Sequence, residues 1–219
     1  MGLDLGGIGK GIALDRARDV LRAHGVARGV INFGGEILAF GGTHAIDVAD
    51  PADRLRAAVT LTASDAAVST SAQSERGVDV RGVHYGHVLD PRTGRPVPTR
   101  ASVTVVARSA SEADARSTAL LVMGRSEAER FASAHPNVGV VWLEPPAHAG
   151  GASRMWTWNL SGVSPVADAA IVVMNPVMNP ASNLRPDESA RAVHDLAAPR
   201  HRRVRAGLGL ERPPHQAMQ

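Results

Sequence analysis

Asp4, Lys10, His87, Asp114 and Thr118 are the residues of this 219-residue chain whose types and neighbours can do chemistry. Asp4 and Lys10 lie in "DLGGIGKGIALDRA", residues 4–17, where a glycine-rich loop runs into an amphipathic stretch. Such a loop binds anions: the glycines let the backbone approach, the first helical amides point outward, and the helix dipole favours negative charge. Lys10 is the only lysine, every other fixed positive side chain being arginine, and its compact ammonium adds a point charge suited to phosphate. The spacing fits neither of the common nucleotide loops, because Gly11 stands where Walker A needs Ser or Thr and Gly7, Gly9 and Gly11 do not fit G-x-G-x-x-G. Taken alone, the loop reads equally as a tight turn that carries an exposed lysine.

Asp114 and Thr118, in "SEADARSTALL", are four residues apart on a predicted helix and so share a face. A carboxylate and a hydroxyl, with phosphate oxygens and water, are the hard ligands magnesium prefers. The same pair also reads as an aspartate that complements the helix dipole and a threonine bonded back to its own chain. His87 stands in "HYGHVLDPRTG" just before a turn, where an imidazole can take a proton from an attacking hydroxyl. His84, close upstream, is easily confused with it, and the chain has nine histidines.

The elements that must position these residues follow from pattern. "GIALDRARDVLRAHG" predicts a helix with Ile12, Ala13, Ala17, Val20, Leu21 and His24 on one side and Gly25 as its stop. "GVINF" and "EILAFGG" read as strands flanking a bend or bulge at Gly34-Gly35, and "RAAVTLTA" and "AAVSTSA" as two more, separated by Ser64-Asp65. "DPRTG" has turn chemistry, and "ASVTVVARSA" is a β-branched strand. Ser109 to Glu112 has capping-box form ahead of a helix ending at Gly124; Ser126 to Glu129 repeats the signal before a helix that Pro136 ends. "VGVVWLE" and "MWTWNL" supply later strands. Helices interspersed with antiparallel-looking strands predict an α+β fold. Residues 161–219 lack a sustained period and read as a disordered basic tail, with one short helix near Glu188 to Leu196.

Composition removes several classes. A net charge of +3 and an aromatic fraction of 3% argue against a nucleic-acid surface. Without cysteine there is no disulfide, thiolate metal site or cysteine nucleophile. No apolar run is long enough to span a bilayer, and "MGLDLGG" has no signal-peptide form.

In order, "DLGGIGKGIALDRA", "VINFGGEILAFG", "AAVSTSA", "HVLDPRTGRPV" and "SVTVVARSASEADARSTALLVMG" make residues 3–160 resemble the ApbE-type FAD:protein FMN transferases. The resemblance implies a T-fold-like α+β domain over residues 1–160, with a largely antiparallel sheet and packed helices. It implies magnesium-dependent transfer of FMN from FAD to a threonine or serine of an acceptor flavoprotein, with release of AMP. The acceptor carries a motif close to Asp-x-x-Ser/Thr-Gly-Ala-Ser/Thr. Asp4, Lys10 and Val88 would contact FAD, and the Gly7 carbonyl, Asp114 and Thr118 would hold Mg²⁺. His87 would be the base for the acceptor hydroxyl.

The chain also departs from the family pattern. It starts almost inside the first motif, so the usual N-terminal segment, with one wall of the flavin pocket, is expected to be missing. Ala72 stands where the family usually has glycine. The family is usually extracytoplasmic and membrane-associated, but neither a signal peptide nor a lipid-attachment cysteine is present in this sequence. Membrane contact is therefore expected only through the acceptor or a missing anchor. Two further functions stay open: an FAD pyrophosphatase that yields FMN and AMP, and a non-catalytic FAD-binding remnant.

Overall fold

The computed structural model describes residues 4–74, 76–148, 151–166 and 171–174. All of them belong to the first of two compact units, Met1–Pro176. The chain forms helix α1 (Gly9–Ala23), strands β1 (Gly29–Phe33), β2 (Glu36–Asp50) and β3 (Asp53–Ala72), and two small hairpins, β4 (Gly77–Val80) with β5 (Val83–Gly86) and β6 (Leu89–Asp90) with β7 (Arg95–Pro96). Strand β8 (Ser102–Ala107), helices α2 (Ala110–Met123) and α3 (Arg125–Ala134), and strands β9 (Gly139–Glu144), β10 (Ser153–Trp158), β11 (Val163–Pro165) and β12 (Ile171–Met174) complete the order. The main sheet runs β1-β2-β3-β8-β9-β10-β12, with β11 paired to β3. Every pairing is antiparallel except β10 with β12. This is the α+β fold that the sequence predicts.

Alternation along the strands divides the interior in two. Leu38, Ala67, Val103, Val105 and Val140 pack under the helices with Leu14, Leu120 and Leu121. Ala39, Val68, Val141 and Leu143 face the other way and meet Ile46, Val59, Leu61 and Met155. The second cluster exists because β2 and β3 are long and bent. Ala39 pairs Ala66 and Thr43 pairs Ser64, so Phe40, Gly41 and Gly42 oppose Asp65 alone. Gly41 (φ 72°) and Asp65 (φ 45°) are both left-handed, and the Asp65 carboxylate accepts from the Gly41 amide at 2.9 Å. The bulge is therefore in β2, and Ser64-Asp65 lies inside one 20-residue strand rather than at a break between two.

Other local expectations are refined. Gly34 (φ 63°) and Gly35 (φ 94°) form a two-residue hairpin turn between the paired Phe33 and Glu36. Helix α2 is capped by Ser109, whose hydroxyl accepts from the Glu112 amide at 3.2 Å, and ends at Gly124 as expected. Helix α3 instead starts from Gly124, without a side-chain cap, because it follows α2 too closely for Ser126 to lie outside it. The expected apolar face of α1 is not its buried face: only Gly11 and Leu14 are buried, while Ile12, Val20 and Leu21 are exposed. The reason is that α1 meets α2 at a glycine. A Cβ on Gly11 would lie 2.3 Å from the Ala110 carbonyl oxygen, so the two backbones nearly touch there.

Sheet pairing continues past residue 160, where the sequence reading ends the domain: Val163–Pro165 pairs Val59–Leu61, and Ile171–Met174 pairs Ser153–Trp156. The helix expected near Glu188 to Leu196 lies outside the described residues. Among the described residues, no helix is long and apolar enough to cross a membrane.

Candidate functional site

The start of α1 is where the predicted residues meet. Lys10 donates to Oε1 of Glu36 at 2.6 Å, and the amide of Gly11 donates to Oδ2 of Asp114 at 2.9 Å. Both carboxylates are buried, Glu36 at 3% exposure and Asp114 at 2%, whereas the Lys10 side chain is 37% exposed. Burial pushes the Glu36 carboxyl above the ordinary carboxylate range and the charge of Asp114 adds to the rise, while Lys10 and the Ser69 hydroxyl pull it back. The Ser69 hydroxyl is already bonded to Ser117 at 3.0 Å, and Oε2 of Glu36 is buried without a hydrogen-bond partner. Sequence reading missed Glu36. The available signal was an acid directly after Gly34-Gly35 and directly before the apolar run Ile37 to Phe40.

Gly7 and Thr118 come together as well. A Cβ on Gly7 would lie 3.4 Å from Thr118 Cγ2 and 3.5 Å from its hydroxyl oxygen. Thr118 is bonded to Ser71 at 3.1 Å and donates to the Asp114 carbonyl at 3.3 Å, so it also makes the back-bond anticipated for it. Asp4 lies at the exposed rim, where its carboxylate accepts from the Gly6 amide at 2.8 Å.

Strand β3 connects this cluster to the histidine loop. Ser69, Ser71 and, just beyond the strand end, Gln73 project from alternate positions. Ser71 reaches Ser117 at 2.8 Å. The buried Gln73 donates to the Val88 and Val97 carbonyls at 2.8 and 2.9 Å and accepts from the Val88 amide at 2.9 Å. Val88 is consequently buried, with its backbone held by Gln73. Gly86 permits the approach, since a Cβ there would lie 2.2 Å from Oε1 of Gln73. Ala72, where glycine was the expectation, is in ordinary extended backbone and pairs Ser102.

The two histidines separate by their partners. His84 faces two acceptors, the Asp79 carboxylate at 3.0 Å and the Gln73 carbonyl at 3.2 Å, and its bond to Asp79, with that to the carbonyl, raises its pKa. His87 faces one, the Arg76 carbonyl, 3.1 Å from Nδ1. A carbonyl only accepts, so neutral His87 carries its proton on Nδ1 and presents a lone pair at Nε2. No direct contact joins His87 to Lys10, Asp114 or Thr118; Gln73 is the link.

A magnesium ion has a plausible donor set in the Asp114 carboxylate, the Thr118 hydroxyl and the adjoining Gly7 backbone, beside the orphaned Glu36 oxygen. Among the described residues, no three His, Asp or Glu side chains form a metal cluster. The fit is therefore to a cation that takes part of its shell from a ligand or water.

A sequence profile of the ApbE family matches residues 1–142. The FAD:protein FMN transferase of Rhodobacter capsulatus is 36% identical over 136 residues, 60% of this chain and 26% of that protein. The Treponema pallidum protein of the same name is 31% identical over 160 residues, 66% of this chain and 44% of that one. A crystal structure of the ApbE protein from Thermotoga maritima matches with a TM-score of 0.58 at 35% identity, covering 64% of this chain and 48% of that one. The apo flavinyl transferase ApbE of Pseudomonas stutzeri matches at 0.56 and 25% identity, covering 74% and 49%. This chain thus spans less than half the length of each of these relatives. With its helix-covered antiparallel sheet shared with those structures and the profile matched across most of its length, the chain belongs to the ApbE family.

Proposed function

We propose that this chain carries the pyrophosphate-cleaving part of an FAD:protein FMN transferase, which moves FMN from FAD to a threonine or serine hydroxyl and releases AMP. The observation that carries the reading is the meeting of Lys10, Asp114 and Thr118 at the N-terminal turn of α1, where the Lys10 ammonium and the helix dipole favour phosphate. Magnesium, held by Asp114, Thr118 and the Gly7 carbonyl, supplies Lewis-acid neutralisation of the pyrophosphate charge.

The remaining roles belong to the chain. Lys10 exchanges part of its contact with Glu36 for a phosphate oxygen, and Asp4 and the Val88 backbone contact FAD. Nε2 of His87 takes the proton of the acceptor hydroxyl as that oxygen bonds to the FMN phosphorus. The bond from that phosphorus to the bridging oxygen breaks, and its electron pair leaves with AMP. His87 suits the task better than His84 because one of its nitrogens is free of an acceptor partner. The acceptor is a flavoprotein with a motif close to Asp-x-x-Ser/Thr-Gly-Ala-Ser/Thr.

The test is intact-mass measurement of an acceptor domain after incubation with the chain, FAD and Mg²⁺. A gain of one FMN that disappears on chelation supports the reading. Release of FMN and AMP without a gain replaces it with a pyrophosphatase, and FAD binding without cleavage replaces it with a binding module.

A further inference from the structure

Glu36 has one oxygen in use and one idle. Oε1 accepts from Lys10 at 2.6 Å, whereas Oε2 is buried with no partner. An idle carboxylate oxygen out of water is costly, and native proteins keep such a group where something else completes it. The surroundings say what that is. Glu36 and Asp114 are close enough for their charges to repel, and among the described residues Lys10 is the one cation paired with either of them, which sets two carboxylates against one ammonium. One negative charge is left over, next to the Ser69 hydroxyl, from which a chain of bonded hydroxyls runs through Ser117 and Ser71 to Thr118. Hard oxygens with excess negative charge select a hard cation.

We infer that Glu36 is a bridging ligand, holding Lys10 through Oε1 and a divalent cation through Oε2. The inference rests on the metal site proposed above and adds to it a residue outside the expected ligand set. Glu36 would then set the separation between two positive charges, the ammonium and the metal, and so match them to neighbouring phosphates of one pyrophosphate. A carboxylate that only neutralised Lys10 would leave Oε2 unexplained.

The test is Mn²⁺ binding to the full chain without FAD, followed by electron paramagnetic resonance and by calorimetry. Glu36→Gln keeps the shape and an acceptor for Lys10 but removes the charge, and is expected to weaken Mn²⁺ binding by about tenfold or more. Lys10→Met frees Oε1 and removes a neighbouring positive charge, and is expected to tighten it; weaker binding in that variant would overturn the bridge. Asp114→Asn reports on the underlying site. Loss of affinity in Asp114→Asn but not in Glu36→Gln overturns the bridging role and leaves the metal site standing. No binding by the wild type, or no loss in either variant, overturns both. If Glu36→Gln no longer melts cooperatively, Glu36→Asp takes its place with the same expected loss, and undiminished affinity in that variant overturns the bridge.

Discussion

The ammonium of Lys10 and the carboxylate of Glu36 lie 2.6 Å apart, and this pair ties the first turn of α1 to the first residue of β2. The lysine's position is therefore set by a buried partner rather than by solvent. Lys10→Ala should weaken FAD binding by about tenfold or more, given roughly 1.5–3 kcal/mol for a charge-assisted contact. Lys10→Arg should lose less, because charge is retained. A fluorescence titration of FAD decides this, and equal losses would show that a retained positive charge is not sufficient.

Asp114→Ala should abolish magnesium-dependent activity without unfolding the protein. The milder Asp114→Asn keeps an acceptor for the Gly11 amide while removing the ligand charge, and should be as inactive with a smaller change in melting temperature. Transfer assays beside thermal melts separate the two effects. Unchanged transfer in these variants would remove Asp114 from the metal site.

His87→Ala should lower transfer by about 10²–10⁴-fold, the usual worth of a general base. His84→Ala should leave the rate near wild type, because both of its ring nitrogens face acceptors. Single-turnover rates at saturating FAD test the contrast, and a reversed order would exchange the two assignments.

Gly11→Ala should destabilise the fold by about 1–3 kcal/mol or more, the cost of overpacking, because its new Cβ would meet the Ala110 carbonyl and Ser111 Cα. Chemical denaturation measures this directly. An unchanged midpoint would mean that α1 and α2 can move apart freely.

Asp15 supplies a pH-dependent prediction. Its carboxylate, on α1, accepts from the Ala110 and Ser111 amides at 2.9 and 3.0 Å and from the Ser111 hydroxyl at 2.8 Å, capping α2 from outside. Burial works to raise its pKa, but those bonds and Arg18 outweigh it and hold the group below the ordinary 3.8. A lowered carboxyl pKa means stability that is present above 3.8 and lost as pH falls through the folded value. Asp15→Ala should therefore cost about 1–3 kcal/mol at neutral pH, with the gap to wild type narrowing in acid. Urea unfolding at several pH values tests the sign.

Local chemistry was legible in the sequence where partners are close along the chain. The Ser109–Glu112 cap, the Gly25 and Gly124 helix ends and the β-branched run of β8 all read correctly because each signal lies within a few residues of its effect. Asp114 and Thr118 were placed on one helix, and the structure sets them beside Gly7 and the Gly11 amide. Glu36 escaped notice because its partner is 26 positions away, and Gln73 because its partners, Val88 and Val97, are 15 and 24 away. The α1 face misled for a similar reason. Periodicity identifies an apolar stripe, but a close glycine contact with α2 decides which stripe is covered.

The amide of Gln73 has a consequence for motion. By exchanging both a donor and an acceptor with the backbone of Val88, it acts as a lateral rung from the end of β3 to the segment between β5 and β6. His87 is thereby indexed to the sheet and not left on a swinging arm. In the transfer proposed above, the acceptor hydroxyl would have to be brought to that imidazole, so productive encounter would depend on how the incoming protein docks.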